Sequence, residues 1–182
     1  PLFAPRHERS KVALATQACE DLLLGDSLAG DLSQAERLVF AAEQARVSGI
    51  PALEAEYRAR AITLGDAVSP ALRRILETAG STTGNARLDA MLHFVRTLAL
   101  NPAHSDQATL LAIPAAGLSV DGTVLLAQLI GFVAYQARLL AGVQAMVALG
   151  GVAQHTAATT EAAPFVHPAN LPAPGEPLRR NG

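Results

Sequence analysis

Apolar residues recur every three or four positions from about residue 12 to residue 149, as they do on one face of an α-helix. No stretch alternates as a strand would, so the pattern predicts an all-α domain of six to seven helices over residues 1–149. From residue 150 onward the apolar period stops and five prolines occur in 33 residues. Residues 150–182 are therefore predicted to be an extended, proline-rich tail or linker.

Local signals place the helix ends. Ser33 followed three residues later by Glu36 is a capping-box signature for the second helix. Pro51 suits the first position of the third helix. Ser105 is expected to cap a short sixth helix that must end before the next proline, and Ser119 a long seventh helix that runs to about residue 149.

The apolar period also predicts which faces point inward. On the second helix this face comprises Ala35, Leu38, Val39, Ala42 and Ala45. On the first helix it comprises Val12, Ala15, Cys19, Leu22 and Leu23. Cys19 is accordingly expected to be a small buried residue rather than a nucleophile.

The seventh helix raises the question of a membrane span, because Arg138 is its only charge between Gly122 and Ala153. That arginine, together with Gln128, Gln136 and Gln144, argues against a span, since a central arginine costs roughly 2.5–3.5 kcal/mol on insertion scales. We expect this helix to lie at the centre of a helical assembly or against another subunit, and we expect no membrane contact.

Composition narrows the functional classes. Apolar residues make up 50% and charged residues 16% of the 182 residues, which favours a homo-oligomer. The net charge is −2, the basic residues are scattered and tryptophan is absent, so nucleic acid is an unexpected partner. A single cysteine and no closely spaced histidines predict no disulfide, no metal site and no cofactor, and favour a cytoplasmic protein.

Two segments carry a family resemblance. Residues 32–61 read LSQAERLVFAAEQARVSGIPALEAEYRARA, and residues 117–143 read GLSVDGTVLLAQLIGFVAYQARLLAGV. Both resemble the alkylhydroperoxidase / carboxymuconolactone decarboxylase-like family, and with the helix at 86–100 the resemblance covers about residues 6–149. It implies the oligomeric alkylhydroperoxidase-like helical fold.

The redox members of that family carry a motif Glu-x11-Cys-x2-Cys-x3-His. Aligned without gaps, its four positions fall on Leu38, Ile50, Leu53 and Tyr57, and none matches. A thiol peroxidase needs one thiolate to attack the peroxide and a second thiol to resolve the sulfenate. The four positions are therefore expected to have become part of the core.

Two functions remain open at this point. The first is a non-redox oligomerising or accessory module that accompanies an active peroxidase-type protein. The second is a cofactor-free enzyme or small-molecule binder with a pocket near Tyr57, Tyr135 and Gln136. Because a buried tyrosine hydroxyl needs a partner, Glu43, Tyr135 and Gln136 are the candidate ligand-binding residues beside Tyr57. Peroxidase chemistry through Cys19 alone is a third hypothesis, with less support from the sequence.

Overall fold

The computed structural model describes residues 10–104 and 106–150, and within them it contains α-helices and no strand. The helices are α1 (Ser10–Leu24), α2 (Gln34–Val47), α3 (Pro51–Thr63), α4 (Pro70–Glu77), α5 (Ala86–Leu100), α6 (Gln107–Ala115) and α7 (Val120–Ala148). One-turn 3-10 helices lie at Gly65–Ala67 and Pro102–His104. The all-α prediction is confirmed, whereas the predicted tail lies almost wholly outside the described residues.

Helix α2 is the centre of this arrangement. It packs against α1, α3, α4, α5 and α7, and every residue from Ala35 to Ala45 is buried. The face predicted from the apolar period is buried as expected, but so is the opposite face. We expected the long seventh helix to lie at the centre of an assembly. Within the chain, α2 holds that position and α7 covers one side of it.

Arg37 shows how a charged side chain is accommodated in α2. It is 1% exposed. Its guanidinium donates to the carbonyl oxygens of Leu23 at 2.7 Å, Leu32 at 2.6 Å and Gly25 at 2.6 Å. Carbonyls near a helix end lack partners within the helix, so Arg37 caps the end of α1. Burial lowers the pKa of this guanidinium from its ordinary value.

The helix-start signals are mostly confirmed. Ser33 and Glu36 form the predicted capping box, Pro51 opens α3, and the Ser119 hydroxyl accepts the backbone N–H of Gly122 at 3.0 Å.

The prediction for α6 is wrong at both ends. Asp106, not Ser105, is its N-cap, and it accepts the backbone N–H of Thr109 at 2.8 Å. The helix continues to Ala115 with Pro114 inside it. Because proline has no backbone N–H, Pro114 cannot donate the helical hydrogen bond to residue 110, and the helix ends one residue later.

The predicted inward face of α1 is wrong at four of its five positions, since only Leu23 of the predicted set is buried. Cys19 is exposed, as are Val12, Ala15 and Leu22. The buried positions are Thr16, Leu23 and Leu24. The hydroxyl of Thr16 donates to the carbonyl of Val12 at 2.8 Å, and this local bond lets a threonine face the core without an unsatisfied hydroxyl.

Helix α7 has one buried side and one exposed side. Leu126, Leu129 and Val133 are fully buried against the core. The polar side chains of Asp121, Gln128, Tyr135 and Arg138 lie on the exposed side. The helix is about 44 Å long at 1.5 Å per residue, and residues 144–149 are all exposed.

Length and composition alone would let α7 cross a membrane, and 39% of its most apolar window is buried within the chain. One such helix is weak evidence of a span, because the core helix of a soluble protein passes the same test.

Candidate functional site

The four motif positions do not meet in one place. Leu38 is 1% exposed in the middle of α2 and belongs to the core. Ile50 precedes α3 and is half-buried, facing one depression. Leu53 and Tyr57 lie one helical turn apart on α3 and face a different depression. The expectation that all four positions have joined the core therefore holds for Leu38 and Tyr57, whereas Ile50 and Leu53 are only partly covered.

The second of these depressions, here called the Tyr57 cavity, has a volume of about 310 Å³. It lies between α1, α3 and α7, and it is lined by Gln17, Glu20, Leu53, Glu56, Tyr57, Gln136, Leu139 and Leu140. Tyr57 is 1% exposed and Gln136 is 7% exposed. Two of the predicted binding residues are thus brought to one place.

The polar wall of the Tyr57 cavity is organised around Glu20. One of its carboxylate oxygens pairs with the guanidinium of Arg60 at 2.8 Å. The other accepts a long hydrogen bond of 3.4 Å from the side-chain amide of Gln136. Glu56, on the rim, adds a second carboxylate. The cavity therefore presents acceptors, which suit a small ligand that donates hydrogen bonds.

The remaining predicted residues lie elsewhere. Tyr135 is 41% exposed on the outer side of α7 and is not among the residues that line the Tyr57 cavity. Glu43 is fully buried and holds two ion pairs, with Arg46 at 2.8 Å and with Arg96 at 2.7 Å. Arg46 lies on α2 itself, three residues after Glu43, whereas Arg96 lies on α5. The pair with Arg96 therefore ties α2 to α5 and gives Glu43 a structural role.

The depression beside Ile50 has a volume of about 250 Å³ and lies between α2, α5 and α7. Arg138 and Ser48 contribute polar groups to its wall. Gln44 also lines it, but its side-chain amide donates to the carbonyl of Ile130 at 2.7 Å and so serves α2–α7 packing.

The described residues offer little redox or metal chemistry. They contain no group of three or more histidine, cysteine, aspartate or glutamate side chains placed to hold a metal ion. Cys19 lies on the exposed side of α1, and the sequence contains no second cysteine to resolve a sulfenate.

The sequence did not reveal a further depression, which has almost wholly apolar walls. It is a groove of about 580 Å³ between α6 and α7, and it is called the α6–α7 groove below. Its walls are formed by Leu110, Leu111, Pro114, Val120, Thr123, Val124, Ala127 and Gln128. Val120 is 71% exposed and Leu111 is 55% exposed. The period of apolar residues marks such positions as core, so it gives no sign that they face outward.

No protein-family model matches the chain, and a search of curated proteins finds no significant match.

Proposed function

We propose that this chain is a self-associating helical module of the carboxymuconolactone decarboxylase-like kind, whose peroxidase site is degenerate. In this proposal it acts as a non-redox partner of an active peroxidase-type protein. The observation that carries self-association is the apolar outer side of α6 and α7. The replaced motif positions support the non-redox part.

The outer surface of α6 and α7 is unusual for a monomer. Most of the exposed large apolar side chains in the described part of the chain belong to these two helices or directly follow them. The last turns of α7 expose apolar side chains on all sides of the helix. Among them, Met146 is 52% exposed and Val147 is 68% exposed. Burial of apolar surface contributes roughly 25 cal/mol per Å². The free energy of association with a partner that covers this surface is therefore substantially favourable.

Arguments against thiol peroxidase chemistry come from the motif positions themselves. Ile50 and Leu53 carry no thiol, and Leu38 carries no carboxylate to relay a proton. Cys19 lies on α1, whereas the motif positions lie on α2, on α3 and directly before α3. A sulfenate formed on an exposed lone cysteine has no resolving thiol within its own chain.

The test of self-association is the solution mass. Light scattering at micromolar concentration should give at least two chains of 18.9 kDa, with Cys19→Ser used to exclude disulfide-linked pairs. A monodisperse monomer would contradict the proposal.

The non-redox part is tested separately by hydroperoxide turnover with a dithiol reductant. We expect background rates for the wild-type chain and for Cys19→Ser alike. Turnover that disappears in Cys19→Ser would support the peroxidase reading instead. An intact Cys-x-x-Cys protein encoded beside this one, and binding to it, would support the accessory role.

A second function, binding or cofactor-free conversion of a small molecule, is supported by the Tyr57 cavity. The observation in its favour is that Tyr57 and Gln136, distant in sequence, share one cavity with the carboxylate of Glu20. A thermal-shift screen of small amines and polyols tests it. A ligand that uses this cavity should bind Tyr57→Phe less tightly and should bind Tyr135→Phe as it binds the wild type. An equal loss of affinity in both variants, or no loss in either, would show that the ligand does not bind in this cavity.

A further inference from the structure

Helix α7 contains two charged residues, Asp121 near its start and Arg138 in its second half. Both are exposed, and neither forms an ion pair or side-chain hydrogen bond within the described part of the chain. They are about 26 Å apart along the helix axis at 1.5 Å per residue. An aspartate in a first turn is favourable by itself, but Arg138 gains nothing comparable from its own helix.

The exposed side of α7 follows a heptad spacing. Outward or half-covered positions recur in steps of four and three: Val120, Val124, Ala127, Gly131, Ala134, Arg138, Ala141 and Ala145. This spacing is that of a helix whose seam faces a second helix over several turns. The first three of these positions also line the α6–α7 groove. The groove and the first half of the seam therefore form one continuous apolar surface, and the second half of the seam, from Ala134 to Ala141, borders the depression beside Ile50.

The two charges determine which partner fits this surface. In an antiparallel pair of identical helices, residues face each other when their numbers add to a constant, because a two-fold axis relates the copies. If the axis crosses the exposed side of α7 at the level of residue 129, Ala127 of one copy faces Gly131 of the other, and Val124 faces Ala134. Arg138 then lies over Val120 of the other copy, with Asp121 of that copy next to it.

This arrangement has favourable contacts at both ends and at the centre. The aliphatic stem of Arg138 covers Val120, and its guanidinium reaches the carboxylate of Asp121, twice per dimer. Gly131 has open space around its α-carbon, with no atom within 4 Å of where a Cβ would lie. A second helix can therefore approach closely at the centre, where the facing residues are alanine and glycine.

We propose that the occupant of the α6–α7 groove and the α7 seam is α7 of a second copy of this chain, antiparallel about a two-fold axis at the level of residue 129. The proposal rests on the self-association proposed above and specifies its geometry. A parallel pair would place Asp121 against Asp121 and Arg138 against Arg138, and like charges at short range oppose association.

Charge reversal tests the pairing. Asp121→Arg and Arg138→Asp should each weaken dimerisation by roughly 10- to 100-fold, because two attractive pairs become two repulsive ones. The double variant Asp121→Arg/Arg138→Asp should regain most of the wild-type affinity. A mixture of the two single variants should form a heterodimer, since each charge then meets its opposite. Sedimentation velocity of the full chain in the Cys19→Ser background measures the affinity of all four samples, which are the two single variants, the double variant and the mixture.

A matched control is Glu77→Arg, which reverses an exposed charge on α4 and should leave the dimer unchanged. Circular dichroism melting checks that each variant stays folded. If neither single charge reversal weakens the dimer, the antiparallel geometry is wrong but the protein still self-associates. If the wild type is a monomer, both the geometry and the self-association are wrong. Dimerisation that appears only when residues 151–182 are removed would assign the groove to that segment instead.

Discussion

The carboxylate of Asp31 accepts two hydrogen bonds from Ser119, one from the backbone N–H at 2.5 Å and one from the hydroxyl at 2.9 Å. These bonds join the connection before α2 to Ser119, the N-cap residue of α7. The N–H bond lowers the pKa of Asp31 from its ordinary value, against a smaller raising by desolvation. A short polar contact thus fixes where the longest helix begins.

The lowered pKa of Asp31 makes this contact dependent on pH. A carboxyl whose folded pKa lies below its unfolded value of about 3.9 contributes stability above that value and loses it as the pH falls through the folded pKa. We expect Asp31→Asn to lower the free energy of unfolding at pH 7 by roughly 0.5–1 kcal/mol, a figure reduced for the exposure of the group.

Urea unfolding of wild type and Asp31→Asn at pH 7 and near pH 3 measures this effect. The difference between them should shrink at the lower pH. Asp26→Asn in the same connection is the control and should show no such dependence, because the Asp26 side chain is exposed and forms no hydrogen bond or ion pair with the described residues. A difference that persists unchanged at the lower pH would contradict the assignment.

Two glycines of α7 should respond in opposite directions to alanine. A Cβ on Gly122 would lie 2.4 Å from a carboxylate oxygen of Asp31 and 2.9 Å from Leu118. Gly122→Ala should therefore displace Asp31 and Leu118, and this cost should outweigh the gain in helix propensity, with a net loss of stability of about 1 kcal/mol. Around Gly142 the space is open, and Gly142→Ala should raise stability by roughly 0.5–1 kcal/mol through helix propensity alone.

Thermal melts of both glycine variants show whether each substitution raises or lowers stability. Repeating Gly122→Ala in an Asp31→Ala background completes a double-mutant cycle, in which the cost of the alanine should largely disappear. If that cost remained the same in both backgrounds, Asp31 would not be its cause.

Removal of the Glu43 carboxylate should be among the most damaging single changes. Glu43→Ala leaves the guanidinium groups of Arg46 and Arg96 without their buried partner, and breaking a buried pair in this way costs about 3–5 kcal/mol. Urea unfolding compares it with Glu56→Ala on α3, an exposed carboxylate that should change stability by less than about 0.5 kcal/mol. Similar losses in both variants would argue against a structural role for Glu43.

Arg37 should not tolerate lysine. A lysine keeps the charge but lacks the planar, multi-directional donors that reach three carbonyls, so Arg37→Lys should lower stability by roughly 2–3 kcal/mol. Arg74→Lys on α4 is the matched control, because this side chain is exposed and makes no hydrogen bond to any residue that the structure describes. The loss should also appear as faster hydrogen exchange at the end of α1.

Local features of the fold could be predicted from the sequence. The capping box at Ser33, the proline at the start of α3 and the cap at Ser119 depend on residues within three or four positions of one another. Features decided by distant contacts could not. The apolar period of α1 predicts Cys19 on the inward face, but packing within the fold buries Thr16 and leaves Cys19 exposed.

The central place of α2 was hidden by its polar residues. Arg37, Glu43 and Gln44 are polar, and the sequence around them does not indicate which distant groups they contact. In the fold, their partners are carbonyls of α1 and α7 and the arginine of α5. The Tyr57 cavity was only half predicted for the same reason: Gln136 was placed beside Tyr57 correctly, but the role of Glu20 depends on how α1 packs against α3 and α7.

The burial of α2 has a consequence for biosynthesis. Its Gln44 amide is satisfied by the carbonyl of Ile130, and the Asp31 carboxylate before it by Ser119, groups that are 86 and 88 residues further along the chain. While the ribosome is still making the first half of the protein, these polar groups and the α7-facing side of α2 have only water or chaperones as partners. The core therefore closes after synthesis of α7, and a nascent chain halted before that helix carries its future interior on its surface.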